Sequence, residues 1–185
     1  MKIGLLGGTF NPVHYGHLFI ARQIKERCQL DQVLLMPTYV PPHKKTISAT
    51  DRLNMLKLAV ANDDELGIEP IEIQRQAVSY SYDTMKQLTT AHPENDYYFI
   101  IGGDMVEYLP HWHRIDELLE LVTFIGVDRP GYQVTSDYPI WHVELPQLDI
   151  SSSLIRQFCR SHQSVRYLLP DEVIQYIFER RLYND

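Results

Sequence analysis

Short apolar runs that end in glycine, alternating with helical patterns, constrain the fold of this chain more than any other feature. The two clearest runs are KIGLLG at 2–7 and YYFIIGG at 97–103, and such runs are typical of buried strands. Between them, Leu18, Ala21 and Ile24 recur on one face of a helical stretch. Strands that alternate with helices predict a doubly wound, Rossmann-like α/β sheet, mostly parallel, with helices on both faces.

The rest of the chain continues this alternation. Further strands are predicted at 33–36, at 122–127 and near 141–144, with an extended piece at 67–73. Further helices are predicted at 51–61, at about 83–91, through 118–119, at 151–160 and at 171–182. In the helix at 51–61, Asp51 is the candidate N-cap, and Leu53, Leu56 and Val60 face inward. We expect a single domain over 1–185, with a C-terminal helical segment from about 151.

Composition and charge exclude several classes of function. The 185 residues are 44% hydrophobic, which is enough for a core without disulfides or structural metal. The two cysteines, Cys28 and Cys159, lie far apart and form neither a disulfide framework nor a zinc site. The net charge of −7 argues against a nucleic-acid partner, although it allows a small anionic substrate. No apolar stretch approaches the roughly 20 residues that span a bilayer, so we expect a cytoplasmic protein without a membrane partner.

The turn after the first strand, GGTFNPVHYGHL at 7–18, favours phosphate binding. Glycines after a strand let a polyanion approach the backbone, and the helix that begins near Gly16 offers free N–H groups and a positive dipole end. His14 and His17 would donate hydrogen bonds to phosphate oxygens as charge moves during transfer. Two alternatives stay open here: both histidines are structural, or they bind a metal, for which Asn11 is a poor third ligand.

Two other stretches suit a nucleotide, each with a plainer alternative. Asp104 follows the strand at IIGG and would accept hydrogen bonds from ribose hydroxyls, or would cap a helix. Ser152 and Arg156 lie four apart on one helical face and suit a triphosphate tail. The alternative for this pair is a helix N-cap with a surface arginine. Trp112 lies in a loop near the end of a strand, and from the sequence alone it is either a core residue or a residue that contacts a ligand.

These motifs resemble those of the bacterial nicotinate mononucleotide adenylyltransferases, which belong to the HxGH nucleotidyltransferase superfamily. GGTFNPVHYGHL is similar to the family signature GGTFDPxHxGH. Four more stretches resemble the family nearly end to end: VPPHKK (40–45), SYSYDTM (79–85), FIIGGDMVEYLPHWH (99–113) and DISSSLIR (149–156). The HxGH element alone is shared with pantetheine-phosphate adenylyltransferases, cytidylyltransferases and class I aminoacyl-tRNA synthetases, so it indicates the superfamily and not the substrate. The presence of all five motifs in one chain is what points to nicotinate mononucleotide.

The resemblance implies transfer of AMP from ATP to nicotinate mononucleotide, which yields nicotinate adenine dinucleotide and pyrophosphate in NAD biosynthesis. It implies that His14 and His17 are catalytic, and that Trp112 stacks on the pyridine ring. The implied ATP contacts are Gly8, Thr9, Phe10, His14, His17, Gly102, Asp104, Ser152 and Arg156. The implied mononucleotide contacts are Lys44, Thr84, Trp112, His113 and Arg129. Mg²⁺ is expected to arrive with ATP, held by phosphate oxygens and water rather than by a protein metal site.

Two residues depart from the family pattern. Asn11 replaces the commoner aspartate, and the turn needs an Asx-like side chain more than a charge. His113 replaces a tyrosine, and a contact made through the backbone there tolerates the change. Rival functions are AMP transfer to nicotinamide mononucleotide or phosphopantetheine, and a nucleotide-binding sensor without turnover. The intact HYGH and SSSLIR motifs favour an enzyme, and a homodimer is left open.

Overall fold

A computed structural model describes residues 1–39, 46–78, 80–131 and 133–184, and within these ranges six parallel strands form one sheet. The strands are β1 (Lys2–Gly8), β2 (Gln32–Pro37), β3 (Leu66–Ile68), β4 (Asp96–Gly102), β5 (Thr123–Asp128) and β6 (Ile140–Glu144). Their spatial order is β3-β2-β1-β4-β5-β6. This is the order of a doubly wound sheet built from two halves, so the predicted fold class is confirmed.

Helices pack on both faces of this sheet. They are α1 (Tyr15–Arg27), α2 (Ala49–Val60), α3 (Ile71–Arg75), α4 (Ser81–Ala91), α5 (Gly103–Tyr108), α6 (Ile115–Leu121), α7 (Ser152–Arg160) and α8 (Asp171–Glu179). Leu6 of β1 faces a core shared with α1, α2, α7 and α8. Leu5 points the other way, into a core shared with α4 and α6. None of the described helices is both long and apolar enough to cross a bilayer. The single-domain organisation stays a prediction.

The predicted extended piece at 67–73 is wrong beyond Ile68. Strand β3 ends there, and Pro70 precedes α3, because proline has no N–H to offer a sheet and its fixed φ suits a helix start. The carboxylate of Glu69 accepts from the Ile71 backbone N–H at 3.0 Å and helps to start this helix. The predicted helix at 171–182 ends earlier as well, at Glu179.

The predicted N-cap of α2 is also wrong. Ser48 caps the helix, since its hydroxyl accepts from the Asp51 backbone N–H at 3.0 Å and donates to the Asp51 carboxylate at 2.6 Å. Asp51 is the third residue of the helix, and its carboxylate bonds the hydroxyl of the cap rather than the backbone of the cap. Leu53 and Val60, predicted to face inward, are only half-buried. The buried face of α2 includes Arg52 instead.

The carboxyl ends of β1 and β4 meet at the centre of the sheet. The two strands pair directly, with Leu6 beside Ile100. From this point, the chain order runs outward in both directions, which makes it the topological switch point. Ligands of such sheets bind in the crevice beyond this edge, so both glycine-ended strands open onto the expected site.

Candidate active site

A cleft of about 1210 Å³ opens at the switch point, and a volume of this order suits a nucleotide-sized ligand. It lies beyond β1, β4 and β5, between the N-terminal ends of α1, α5 and α7. Six of the residues predicted from the sequence line it together: His14, His17, Gly102, Asp104, Arg129 and Ser152. The structure thus brings together residues from three separate motifs and, in addition, Arg129.

His14 and His17 form a stacked pair at the start of α1. His14 is the N-cap, and its backbone N–H donates to Nδ1 of His17 at 3.2 Å. The two rings stack with their centroids 3.7 Å apart. Because Nδ1 of His17 accepts this hydrogen bond, the ring proton of its neutral form sits on Nε2. The fold therefore fixes one tautomer and leaves an N–H donor on the far side of the ring.

Burial keeps both imidazoles uncharged. Desolvation lowers the pKa of His14 to about 4, and the pKa of His17 to about 3 with a further contribution from the charge of His14. Nδ1 of His14 is buried without a hydrogen-bond partner in the described part of the chain. Buried polar atoms of this kind are rare in native folds and call for an explanation. This atom lies against Gly16 in the first turn of α1, where a ligand in the cleft does not reach it.

Glycines shape the two turns that face the cleft. A Cβ atom on Gly16 would lie 3.0 Å from both Cε1 and Nδ1 of His14. The glycine of HYGH is therefore needed so that the His14 ring can lie over the first turn of the helix. At the second turn, a Cβ atom on Gly102 would lie 2.9 Å from Oδ1 of Asp104, but this exposed side chain can move aside.

Ser152 and Arg156 hold the turn that precedes α1. Ser152 donates to the carbonyl of Pro12 at 2.8 Å, and Arg156 donates to the carbonyl of Asn11 at 2.8 Å. The cap of α7 is instead Ser151, whose hydroxyl accepts from the Leu154 backbone N–H at 3.1 Å. The two predicted residues thus lie at the site with part of their hydrogen bonding already used. Phosphate contact by Arg156 stays a prediction.

Sequence reasoning missed two residues that support the same turn. Arg52 is fully buried and donates to the carbonyls of Thr9, at 2.8 Å, and Tyr39, at 2.7 Å. A signal for it existed, because Arg52 shares the i, i+3, i+4 face of Met55 and Leu56. Tyr183 donates its hydroxyl to Oδ1 of Asn11 at 2.7 Å. These two residues are 172 positions apart, and no local pattern connects them.

The residues predicted for the pyridine ring lie on the Leu5 side of the sheet. Trp112 is half-buried, with its ring edge-on to Phe99 and Phe124 at centroid distances of 5.7 and 5.9 Å. His113 is exposed, and its ring lies 4.7 Å from that of Tyr80. Lys44 falls outside the described residues. These rings form an aromatic wall, but among the described residues that line the cleft neither Trp112 nor His113 occurs. Their contact with the pyridine ring stays a prediction.

Thr84 occupies a more enclosed place than expected. It is fully buried, and its hydroxyl donates to Glu72 at 3.0 Å and accepts from Arg75 at 2.9 Å. These three side chains join α3 to α4 behind the aromatic wall. On the cleft side, Arg129 is exposed and follows Asp128, a buried carboxylate paired with His142 at 2.8 Å. Neither buried cluster was predicted.

Comparison with known proteins agrees with this geometry. A family model described as cytidylyltransferase-like matches residues 5–158. A probable nicotinate-nucleotide adenylyltransferase of Enterococcus faecalis (strain ATCC 700802 / V583) is 60% identical over 100% of this chain and 85% of its own length. A protein of the same name from Geobacillus thermodenitrificans (strain NG80-2) is 54% identical over 98% of this chain and 86% of its own length.

Solved structures share the fold at lower identity. Plasmodium falciparum nicotinic acid mononucleotide adenylyltransferase complexed with NaAD superimposes with a TM-score of 0.84 at 20% identity, covering 99% of this chain and 97% of that one. The same enzyme complexed with APC gives a TM-score of 0.82, also at 20% identity and with the same coverage of both chains. The likeness therefore extends over the whole sheet and its helices.

Proposed function

We propose, because the chain belongs to the nicotinate-nucleotide adenylyltransferase family, that its cleft transfers AMP from ATP to nicotinate mononucleotide. The products are nicotinate adenine dinucleotide and pyrophosphate. The observation that carries the proposal is the stacked, neutral pair of His14 and His17 at a helix N-terminus on the switch point of the sheet. A site with neutral N–H donors at the positive end of a helix dipole suits a phosphoryl group that changes its charge distribution during transfer.

The reaction is an in-line displacement. An oxygen of the mononucleotide phosphate forms a bond to the α-phosphorus of ATP. The bond between this phosphorus and the oxygen that bridges it to the β-phosphate breaks, and its electron pair leaves on that oxygen with pyrophosphate. The attacking phosphate is already ionised at neutral pH, so no side chain needs to remove a proton. Catalysis then consists of positioning and charge stabilisation. In this mechanism, the Nε2–H of His17 and the ring of His14 donate to oxygens of the α- and β-phosphates.

Other cleft residues would hold the rest of ATP. The exposed carboxylate of Asp104, in the first turn of α5, accepts from ribose hydroxyls. Ser152 and the N-terminal amides of α7 face the triphosphate tail, and Arg156 stands behind them. Gly8, Thr9 and Phe10 shape the turn beneath the phosphates. Arg129 also lines the cleft and is proposed to contact the mononucleotide rather than ATP.

The pyridine ring would lie against the aromatic wall. Trp112 keeps part of its ring exposed while its edge is fixed by Phe99 and Phe124, and a fixed ring stacks at low entropic cost. The nicotinate carboxylate would meet the backbone near His113 and the region of Thr84. Since Thr84 has no exposed surface, its contact requires the wall above it to open. Lys44 completes the proposed mononucleotide contacts.

The proposal takes MgATP as the substrate. Among the described residues, no group of three or more histidine, cysteine, aspartate or glutamate side chains is placed to hold a metal ion. The ion then stays with the phosphate oxygens and water, where it offsets the charge of the leaving pyrophosphate. A cytoplasmic location is part of the same proposal, since Cys28 and Cys159 are free thiols, as expected in a reducing compartment. A homodimer stays a prediction.

The test is product analysis with the purified chain. Incubation with MgATP and nicotinate mononucleotide should release pyrophosphate and form, in equal amount, a dinucleotide with the mass of nicotinate adenine dinucleotide. Phosphopantetheine in place of the mononucleotide should give neither product. Turnover with phosphopantetheine would assign the chain to another acceptor, whereas bound ATP without any release would identify a nucleotide sensor.

A further inference from the structure

The turn from Thr9 to Pro12 links β1 to the histidine pair. Its conformation depends on contacts with other parts of the chain. Phe10 lies in the left-handed region with φ of 49°, and its side chain is almost completely buried. A bulky residue rarely adopts this conformation unless the surrounding structure imposes it. The shape of the turn must therefore come from contacts with other elements.

Those contacts come from three distant parts of the chain. Arg52 of α2 holds the Thr9 carbonyl, and Ser152 and Arg156 of α7 hold the carbonyls of Pro12 and Asn11. The third part is the segment after α8, where the hydroxyl of Tyr183 reaches the side chain of Asn11 at 2.7 Å. Three of the four residues of the turn, Thr9, Asn11 and Pro12, thus accept a hydrogen bond from outside it.

The segment after α8 is itself shaped to deliver this hydroxyl. Arg181 and Tyr183 both lie in the left-handed region, with φ of 52° and 64°. The Leu182 backbone N–H donates to the Ile177 carbonyl at 3.0 Å, which folds the segment back over the end of α8. Burial raises the pKa of Tyr183, so the phenol stays protonated and donates. Arg181 is the left-handed residue of an ordinary helix C-cap, and this cap turns the chain back so that Tyr183 reaches Asn11.

We propose that Tyr183 is a positioning residue, whose hydroxyl fixes the Asn11 side chain and thereby the turn that aims His14 and His17 into the cleft. This inference rests on the proposed adenylyl transfer. It also explains why an amide serves at position 11, since Oδ1 of asparagine accepts from a phenol as a carboxylate oxygen would. A residue near the far end of the chain then acts on the histidines through one hydrogen bond and one turn.

The first test replaces Tyr183 by phenylalanine. Tyr183→Phe keeps the ring and removes only the donor. The expected result is a fall in kcat of about tenfold with KM for MgATP nearly unchanged, within the ~100-fold that a misplacement of about 1 Å can cost. The matched control is Tyr176→Phe on α8, whose hydroxyl donates to Asp51 at 2.8 Å and does not touch the turn. The control should lower Tm and leave kcat unchanged.

A readout that needs no turnover separates this inference from the proposed function. The ¹⁵N resonance of His17 Nδ1 reports its hydrogen bond from the His14 backbone, so it should shift in Tyr183→Phe and stay in place in Tyr176→Phe. Asn11→Ala removes the acceptor and should reproduce the loss of kcat, and adding Tyr183→Phe to it should cost nothing more. Asn11→Ala serves alone if Tyr183→Phe does not fold. A kcat within twofold of wild type with an unmoved His17 resonance would overturn the proposal, and additive losses in the double variant would do so as well.

Discussion

His14 and His17 meet at the first turn of α1, where burial keeps both rings neutral and a backbone N–H places the proton of His17 on Nε2. A neutral imidazole at this place donates a hydrogen bond without adding a permanent charge. The donor is also fixed before the substrate arrives, so no reorganisation is needed when charge develops on the phosphates. The chemistry of the site at the residue scale is thus set by burial and by one backbone contact.

Replacement of His17 tests this donor directly. We expect His17→Ala to lower kcat by about 10²–10³-fold, the usual loss for one transition-state donor. His17→Gln is the informative companion, because its amide retains an N–H donor and should recover part of the rate. Steady-state pyrophosphate release measures both variants. An unchanged kcat in folded His17→Ala protein would remove His17 from the mechanism.

Individual residues were predictable where they belong to a local motif. His14, His17, Asp104 and Ser152 were proposed from short stretches of sequence, Gly102 and Arg129 were implied by the family resemblance, and all six line one cleft. Arg52 and Tyr183 were missed, since their partners are backbone carbonyls and a side chain far away in sequence. A hydrogen bond between residues so far apart produces no pattern in the sequence, because only the folded topology brings the two partners together.

At the scale of elements, the sequence predicts a helix or strand correctly where neighbouring residues alone determine it. Strands β1 and β4 were predicted because a buried parallel strand is a continuous apolar run. The region around β3 was misjudged, since the apolar alternation of GIEPIEI continues through Pro70 while the backbone cannot. The start of α2 was misjudged because Ser48 and Asp51 are both good caps, and only their reciprocal bonds decide between them.

The short element that carries Trp112 supports a prediction of its own. Trp112→Ala should raise KM for nicotinate mononucleotide by about tenfold, the equivalent of losing one stacking contact of about 1–3 kcal/mol, and leave KM for ATP nearly unchanged. Trp112→Phe keeps an aromatic face and should have a smaller effect. The alanine variant should also lose stability, since the ring packs on Phe99 and Phe124. Separate KM values for the two substrates decide the matter, and a selective rise for ATP would contradict stacking on the pyridine.

On the scale of the whole molecule, the site makes folding sensitive to acid. The pKa values of His14 and His17 in the folded state, about 4 and about 3, lie below the ordinary value of 6.5. Their contribution to stability is complete above pH 6.5 and is lost as pH falls toward these folded values, because the unfolded chain takes up protons first. We therefore expect Tm to fall between pH 7.5 and pH 5, and to fall less in the variant His14→Gln/His17→Gln. Equal slopes in the two proteins would show that the histidines are not buried as neutral groups.

The order of strands joins these scales, because it brings the carboxyl ends of β1 and β4 together and so collects motifs from both halves of the chain. The strand order does not determine which mononucleotide receives AMP, and experiment answers this question. The decisive measurement is kcat/KM for nicotinate mononucleotide against nicotinamide mononucleotide, with MgATP saturating. A site that hydrogen-bonds the carboxylate should prefer the acid by about 10⁴-fold, because the amide leaves buried donors unpaired. Equal use of acid and amide would contradict the assignment of this chain to the nicotinate nucleotide.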